Sequence, residues 1–241
     1  MLLTAPFRKN IFKFDTDKAN LENPDGKAVM SEFLESLLSG NHSVCSRIVN
    51  NYLDNKMSIE ELYENIIKKS MYEVGEMWEN NRIGVATEHL ASSVVERILN
   101  EVYEKVIPAK VLNKKAIASC VENEYHQIGI KMISDIFEMN GWTSHFFGAS
   151  TSTAELIMYA RDIRPDILAF SVSISLNIPV LFKMIEIFNS EFPGVLILVG
   201  GQAFQRAGRD AISKYENAIY LPDIHTTDLF IKSLNTKEKT A

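Results

Sequence analysis

Groups able to do chemistry gather in four short stretches of the second half of the chain. They are Glu122-Asn123-Glu124-Tyr125-His126, Gly148-Ala149-Ser150, Ser171 to Ser175, and Gly200-Gly201-Gln202. Carboxylates, an imidazole, hydroxyls and glycines are the groups from which a polar or metal-bearing ligand is held against a mostly apolar pocket. In the first half Trp78 is followed, after nine residues, by Glu88-His89. Taken singly, each of these is ordinary: a loop histidine caps a helix, a tryptophan fills a core, a Glu-His pair faces water. Cys45 and Cys120 lie in apolar surroundings and neither belongs to a CxxC pair, so both are expected as buried free thiols and not as a disulfide or metal site.

The value of these residues depends on the elements that hold them. From residue 28 apolar positions recur at helical spacing: Val29, Phe33, Leu34, Leu37 and Leu38, then a second helix over about 42–53. Ser58 with Glu61 three residues on is a capping box. It opens a helix whose apolar face is Ile59, Leu62, Ile66, Ile67, Met71, Val74 and Trp78. A fourth helix follows over about 85–106, and four helices with short loops predict an antiparallel bundle. Asn23-Pro24-Asp25-Gly26 reads as a turn that ends an N-terminal tail.

After a linker at 107–113 the pattern changes to strands alternating with helices. Strands are expected at 116–121, 143–147, 167–174, 195–199 and 218–221. Helices are expected at 128–140, 152–163, 179–191, 205–214 and 226–234. Apolar strands in such an alternation predict a parallel sheet covered on both faces, a doubly wound Rossmann or flavodoxin-like fold. Ligands of these sheets bind at the carboxyl ends of the strands. All four polar or glycine-bearing stretches fall on that edge. The expected domains are a tail over 1–27, a helical-bundle cap over 28–107 and an α/β domain over 114–236.

The 241 residues carry 46% hydrophobic and 23% charged side chains, with a net charge of -6. That balance argues against a dedicated nucleic-acid surface, which needs clustered Lys and Arg. No signal peptide and no membrane-length apolar run is read, and the default location is the cytoplasm.

Glu124-Tyr125-His126-Gln127-Ile128-Gly129 resembles the D-x-H-x-x-G motif of the cobalamin-binding domain found in methionine synthase, corrinoid carriers and mutases. The likeness continues through Gly141, Gly148, the serine-bearing third strand and Gly200-Gly201, over about 115–223. It implies that His126 becomes the lower axial ligand of cobalt while the nucleotide tail of cobalamin lies in a slot between strands and helices. Neutral imidazole suits that role, and Glu124 is placed to fix its second nitrogen. Gly129 and Gly200-Gly201 are expected to keep the slot open. Tyr125, Gln127, Ile128, Gly148, Ser171, Ser173, Ser175 and Gln202 complete the implied binding set. The chain departs from the family at Glu124, where Asp is usual, at Ser171-Val172-Ser173, where S-x-L is usual, and at Asn177, where the methionine synthase pattern has a serine.

The first half resembles the cap of cobalamin-dependent photoreceptors, whose pattern is Trp, nine residues, Glu-His, over about 29–103. Val85 matches an apolar position of that pattern. The resemblance implies an adenosyl group stacked on Trp78, its ribose hydroxyls bonded to Glu88, and His89 able to approach cobalt once the upper ligand leaves. The function implied is a light sensor that uses adenosylcobalamin photolysis to change assembly or partner binding. Output would pass through homo-oligomerisation or a separate regulatory protein, since residues 1–27 are too few for a DNA-binding helix-turn-helix domain. Methylcobalamin and hydroxocobalamin are the alternative cofactor forms. The alternative functions are a corrinoid carrier in a methyltransferase system and a cobalamin store. None makes the chain a complete enzyme, and neither direct nucleic-acid binding nor a membrane is expected.

Overall fold

A computed structural model describes residues 24–106, 108, 110–205 and 208–236. They form two compact units that divide between Ile107 and Pro108. The expected tail lies outside the described residues as far as residue 23.

The first unit is a helical bundle: α1 (Pro24–Leu38), α2 (His42–Asp54), a rod made of α3 (Ile59–Glu61), a π-helical segment (Leu62–Ile67) and α4 (Lys68–Glu79), and α5 (Val85–Tyr103). Pro24-Asp25-Gly26 is the first turn of α1 and not the turn expected from sequence. Proline at the start of a helix loses no intrahelical hydrogen bond and presets φ, so turn and helix start share one local signature. The capping box is present: Glu61 N donates to Ser58 Oγ at 3.0 Å and Ser58 N donates to Glu61 Oε2 at 2.9 Å. The π segment interrupts what the spacing reads as one α-helix. Its Leu62, Tyr63, Ile66 and Ile67 are all fully buried, with Phe33, Leu37, Val74, Val95 and Ile98 in the same unit's core.

The second unit is a five-stranded sheet, all parallel, in the order β2-β1-β3-β4-β5. Its elements are β1 (Lys115–Cys120), α6 (Ile128–Met139), β2 (Thr143–Gly148), α7 (Thr153–Ile163), β3 (Ile167–Ser171), a 3-10 turn (Ser175–Asn177), α8 (Ile178–Glu191), β4 (Leu196–Gly200), a 3-10 turn (Gln202–Gln205), α9 (Arg209–Ile212), β5 (Ala218–Tyr220) and α10 (Ile224–Thr236). Alternate strand residues, Ile117, Leu168, Phe170, Ile197 and Val199, join Leu156, Leu181, Ile185 and Phe188 of α7 and α8 in one core. The residues between them, Ala116, Ala118, Ala169 and Leu198, are equally buried on the face where α6 packs. Period-two alternation with both faces apolar is what the near-continuous hydrophobic strands encode.

Two expectations change. β3 ends at Ser171, three residues early: Val172 N still donates to the Gly200 carbonyl of β4, but the N–H groups of Ser173 and Ile174 turn to the site described below. The helix expected at 205–214 is a 3-10 turn at Gln202–Gln205 followed by the short α9. No helix among the described residues is long and apolar enough to cross a membrane.

Candidate functional site

In the strand order 2-1-3-4-5 the chain leaves β1 and β3 in opposite directions, which opens a crevice at their carboxyl ends. Glu124 sits in that crevice with no exposed surface. One carboxylate oxygen, Oε1, accepts hydrogen bonds from the backbone N–H of Tyr125 (3.0 Å) and His126 (3.2 Å), and it faces His126 Nδ1. The other, Oε2, accepts from the backbone N–H of Ser173 and Ile174 (both 3.0 Å) and from Asn177 Nδ2 (3.1 Å). Its backbone carbonyl accepts from Ser150 N at 2.9 Å. A single residue thus ties together the loops after β1, β2 and β3. Glutamate in place of the usual aspartate has the reach to do this.

Burial pushes the Glu124 carboxyl up, but hydrogen bonds from His126, Ile174 and Asn177 outweigh it and hold the group at about 2. An ionised carboxylate only accepts, so the proton it shares with the ring is carried by His126 Nδ1. In the neutral imidazole the lone pair is then on Nε2. The His126 side chain is half exposed. Cys120 supports this loop from the end of β1, its Sγ 3.5 Å from the His126 carbonyl oxygen. Burial, with the Glu124 charge second, pushes the Cys120 thiol up to about 12, and burial pushes Cys45 up to about 11. Both are buried and unreactive as thiolates.

The remaining sequence-predicted residues fall around this centre. Gln127 Oε1 accepts from Ala149 N at 3.2 Å, joining the start of α6 to the loop after β2, where Gly148 ends the strand. Ile128 and Gly129 open α6, and a Cβ placed on Gly129 would find only Ser171 Oγ, at 4.0 Å. This leaves space between the helix start and the end of β3. Ser173 contributes its backbone N–H, while Ser175 starts the following 3-10 turn. Gln202 opens the turn after β4. Gly201 has a reason within the fold itself. It adopts φ +113°, and a Cβ there would lie 2.2 Å from the Val172 carbonyl oxygen. A side chain is therefore excluded by the chain's own backbone, with or without a ligand beside it. A Cβ on Gly200 would lie 3.2 Å from the Leu221 carbonyl oxygen.

Three apolar side chains on the same rim are exposed: Tyr125 (71%), Ile174 (44%) and Leu176 (86%). Sequence reading placed Ile174 inside a strand and passed over Leu176. Only the early end of β3 reveals them. Asn177, singled out from sequence as a departure, is a donor to Glu124.

In the helical unit Trp78 is the second-to-last residue of α4 and Val85 the first of α5, so Trp78 and the Glu88-His89 pair share one end of that helix pair. Trp78 is 47% exposed and Val85 53%. Among the described residues no ring or hydrogen-bond partner meets the Trp78 indole. The contrast is Trp142, which is 4% exposed and donates from Nε1 to Asn235 Oδ1 at 2.9 Å. Glu88 Oε2 lies 2.6 Å from His89 Nδ1, and Glu88 Oε1 accepts from Ser92 Oγ at 2.8 Å. Ser92, one turn beyond Glu88, was not singled out from sequence.

Among the described residues no cluster of His, Cys, Asp and Glu could hold a bare metal ion. A single oriented imidazole at an apolar rim suits a metal that arrives with most of its coordination already filled. The donor set and the space at Gly129 therefore fit a corrinoid.

Comparison with known proteins agrees. Residues 114–221 and residues 29–103 match two families, each described as B12 binding domain. The chain is 25% identical over 150 residues to the HTH-type transcriptional repressor CarA of Myxococcus xanthus, covering 62% of this chain and 50% of that one. The chain thus spans about half the length of that relative. It is 22% identical over 161 residues to dimethylamine corrinoid protein 2 of Methanosarcina mazei, covering 65% and 75%. The fold is that of the Methanosarcina barkeri monomethylamine corrinoid protein, with a TM-score of 0.73, 12% identity, and coverage of 86% and 99%. Through both its helical unit and its sheet, the chain belongs to the B12 binding domain proteins.

Proposed function

We propose that this cobalamin-binding chain is a light-responsive regulator that takes adenosylcobalamin, and that loss of the adenosyl group alters its assembly or its hold on a separate regulatory protein. The observation that carries this reading is Trp78, a large aromatic left exposed, without a ring or hydrogen-bond partner among the described residues, at the end of the α4–α5 pair that also bears Glu88 and His89. When bound, adenosylcobalamin supplies a cobalt–carbon bond that light can break. The chain's residues do the rest. His126 would bind the metal through Nε2, with Glu124 fixing the tautomer. Trp78 offers a face for stacking a planar base, and Glu88 offers carboxylate oxygens to ribose hydroxyls. While those contacts last, the end of α4 and α5 is covered. Once they are lost, an apolar face and the His89 imidazole become available to another molecule, and a ligand that distinguishes two states shifts their balance.

A second reading, a corrinoid carrier for methyl transfer, draws on the similarity to dimethylamine corrinoid protein 2. One experiment separates the two. The chain is loaded with adenosylcobalamin in darkness, and its absorbance and hydrodynamic size are followed before and after green light, alone and with candidate regulators. The sensor reading expects both spectrum and assembly to change, and expects Trp78→Ala to lose the assembly change. A spectrum that changes while every assembly stays constant favours the carrier.

His126→Ala should keep the fold, because the ring is half exposed. It should weaken cobalamin retention at least tenfold, with a spectrum of a water-ligated lower face. Unaltered affinity and spectrum would remove His126 from the site.

A further inference from the structure

Glycine is the least favourable residue but proline inside a helix, and when it persists there a neighbour usually presses on it or its backbone needs a positive φ. Gly75 lies inside α4 and meets neither condition. A Cβ built on it finds nothing within 4 Å, and its φ is an ordinary helical one. Two other glycines whose described surroundings are open are explained: Gly194 has φ +86°, and Gly84 is the N-cap of α5, a position that favours glycine. Gly40, Gly141, Gly148, Gly201 and Gly208 all have positive φ. Gly129 shares Gly75's lack of an internal reason, and it borders the space at the carboxyl edge of the sheet. Gly75 is one turn before Trp78, so the two are neighbours on the helix surface. Trp78 is itself exposed and without a partner among the described residues.

We propose that Gly75 is a specificity-determining position of the upper-ligand site, where the bare helix backbone admits a planar nucleoside group lying against Trp78. This rests on the reading that Trp78 and Glu88 serve the upper axial group. A methyl or hydroxo ligand does not extend far enough to need that space. Side-chain bulk at Gly75 should therefore act on one form of the cofactor only.

The test uses the full chain with Gly75→Ala and Gly75→Leu. Both add a helix-favouring side chain in open space, so both should raise the Tm of the cofactor-free protein. Gly75→Leu should lower the affinity for adenosylcobalamin tenfold or more, measured in darkness, and leave that for hydroxocobalamin within twofold. Gly75→Ala should fall between Gly75→Leu and the wild type. An unchanged ratio of the two affinities overturns the proposal, as does an equal loss of both. A lower Tm in Gly75→Ala also overturns it, since glycine would then serve the fold. Wild-type protein that binds no corrinoid defeats the underlying reading instead, and is told apart by that control.

Discussion

Gly201→Ala should prevent the sheet unit from folding or destabilise it by more than about 4 kcal/mol. The added methyl would lie 2.2 Å from the Val172 carbonyl oxygen, 2.7 Å from its carbonyl carbon and 2.8 Å from its nitrogen. These are backbone atoms already committed: Val172 N donates to the Gly200 carbonyl at 3.0 Å, and the Val172 carbonyl accepts from Ala203 N at 3.2 Å. Relief would have to break the junction between the ends of β3 and β4. The φ of +113° adds strain for any residue with a Cβ. Gly200→Ala is the control. Its Cβ would meet one carbonyl oxygen at 3.2 Å, and a cost of about 1–2 kcal/mol is expected. Soluble yield and urea midpoints of the two variants measure the difference. A Gly201→Ala protein with wild-type stability and weaker cobalamin binding would leave Gly201 as a slot residue alone. The folding argument would then be wrong.

That example marks where sequence stops being readable. The strand–helix alternation was legible because each strand core is a continuous apolar run and each helix has a local stop or start. Gly141 takes φ +85° just past α6, and Ser152 caps α7 by accepting from Glu155 N. The pairing order of the strands has no local signature. It follows from how the whole sheet is covered, so the crevice between β1 and β3 could be placed at an edge but not between particular strands. Val172, Ser173 and Ile174 look like strand by composition. Val172 N still donates to the Gly200 carbonyl of β4, whereas Ser173 and Ile174 leave the ladder because their N–H groups find a better acceptor in the ionised Glu124. That is a tertiary contact across 49 and 50 residues, outside any local window. The π segment at Leu62–Ile67 is hidden for a similar reason. Leu62, Ile66 and Tyr63, Ile67 are spaced as they would be in an α-helix, and only packing selects the wider turn. The His126–Glu124 pairing needed no tertiary information, since two residues of loop bring the groups together. What could not be read was that the same carboxylate has a second set of donors.

Glu124→Ala should therefore cost more than the loss of one partner for His126. Five N–H donors beyond the imidazole, those of Tyr125, His126, Ser173, Ile174 and Asn177, would lose their acceptor in a part-buried crevice. With about 1–3 kcal/mol for each one that water cannot reach, a loss of several kcal/mol in the sheet unit is expected. Cobalamin affinity should fall 10- to 100-fold, since the ring would lose the group that fixes its tautomer. Glu124→Asp separates reach from charge. One methylene shorter, the carboxylate should keep the donors of its own loop and release those of Ser173 and Ile174, which would free the loop bearing Leu176. Its cost should lie between wild type and alanine. The pH dependence carries the same signature. The folded carboxyl is held at about 2 against an ordinary 4.5. A depressed acid contributes fully above the unfolded value and loses that contribution as pH falls through the folded one, here between about 4.5 and about 2. The difference is roughly 3 kcal/mol. In cofactor-free protein, wild type should lose its stability advantage over Glu124→Gln across that interval, read from urea midpoints at pH 6, 4 and 3. Parallel stabilities over the whole range would mean that the two loops are held together by something other than this carboxylate.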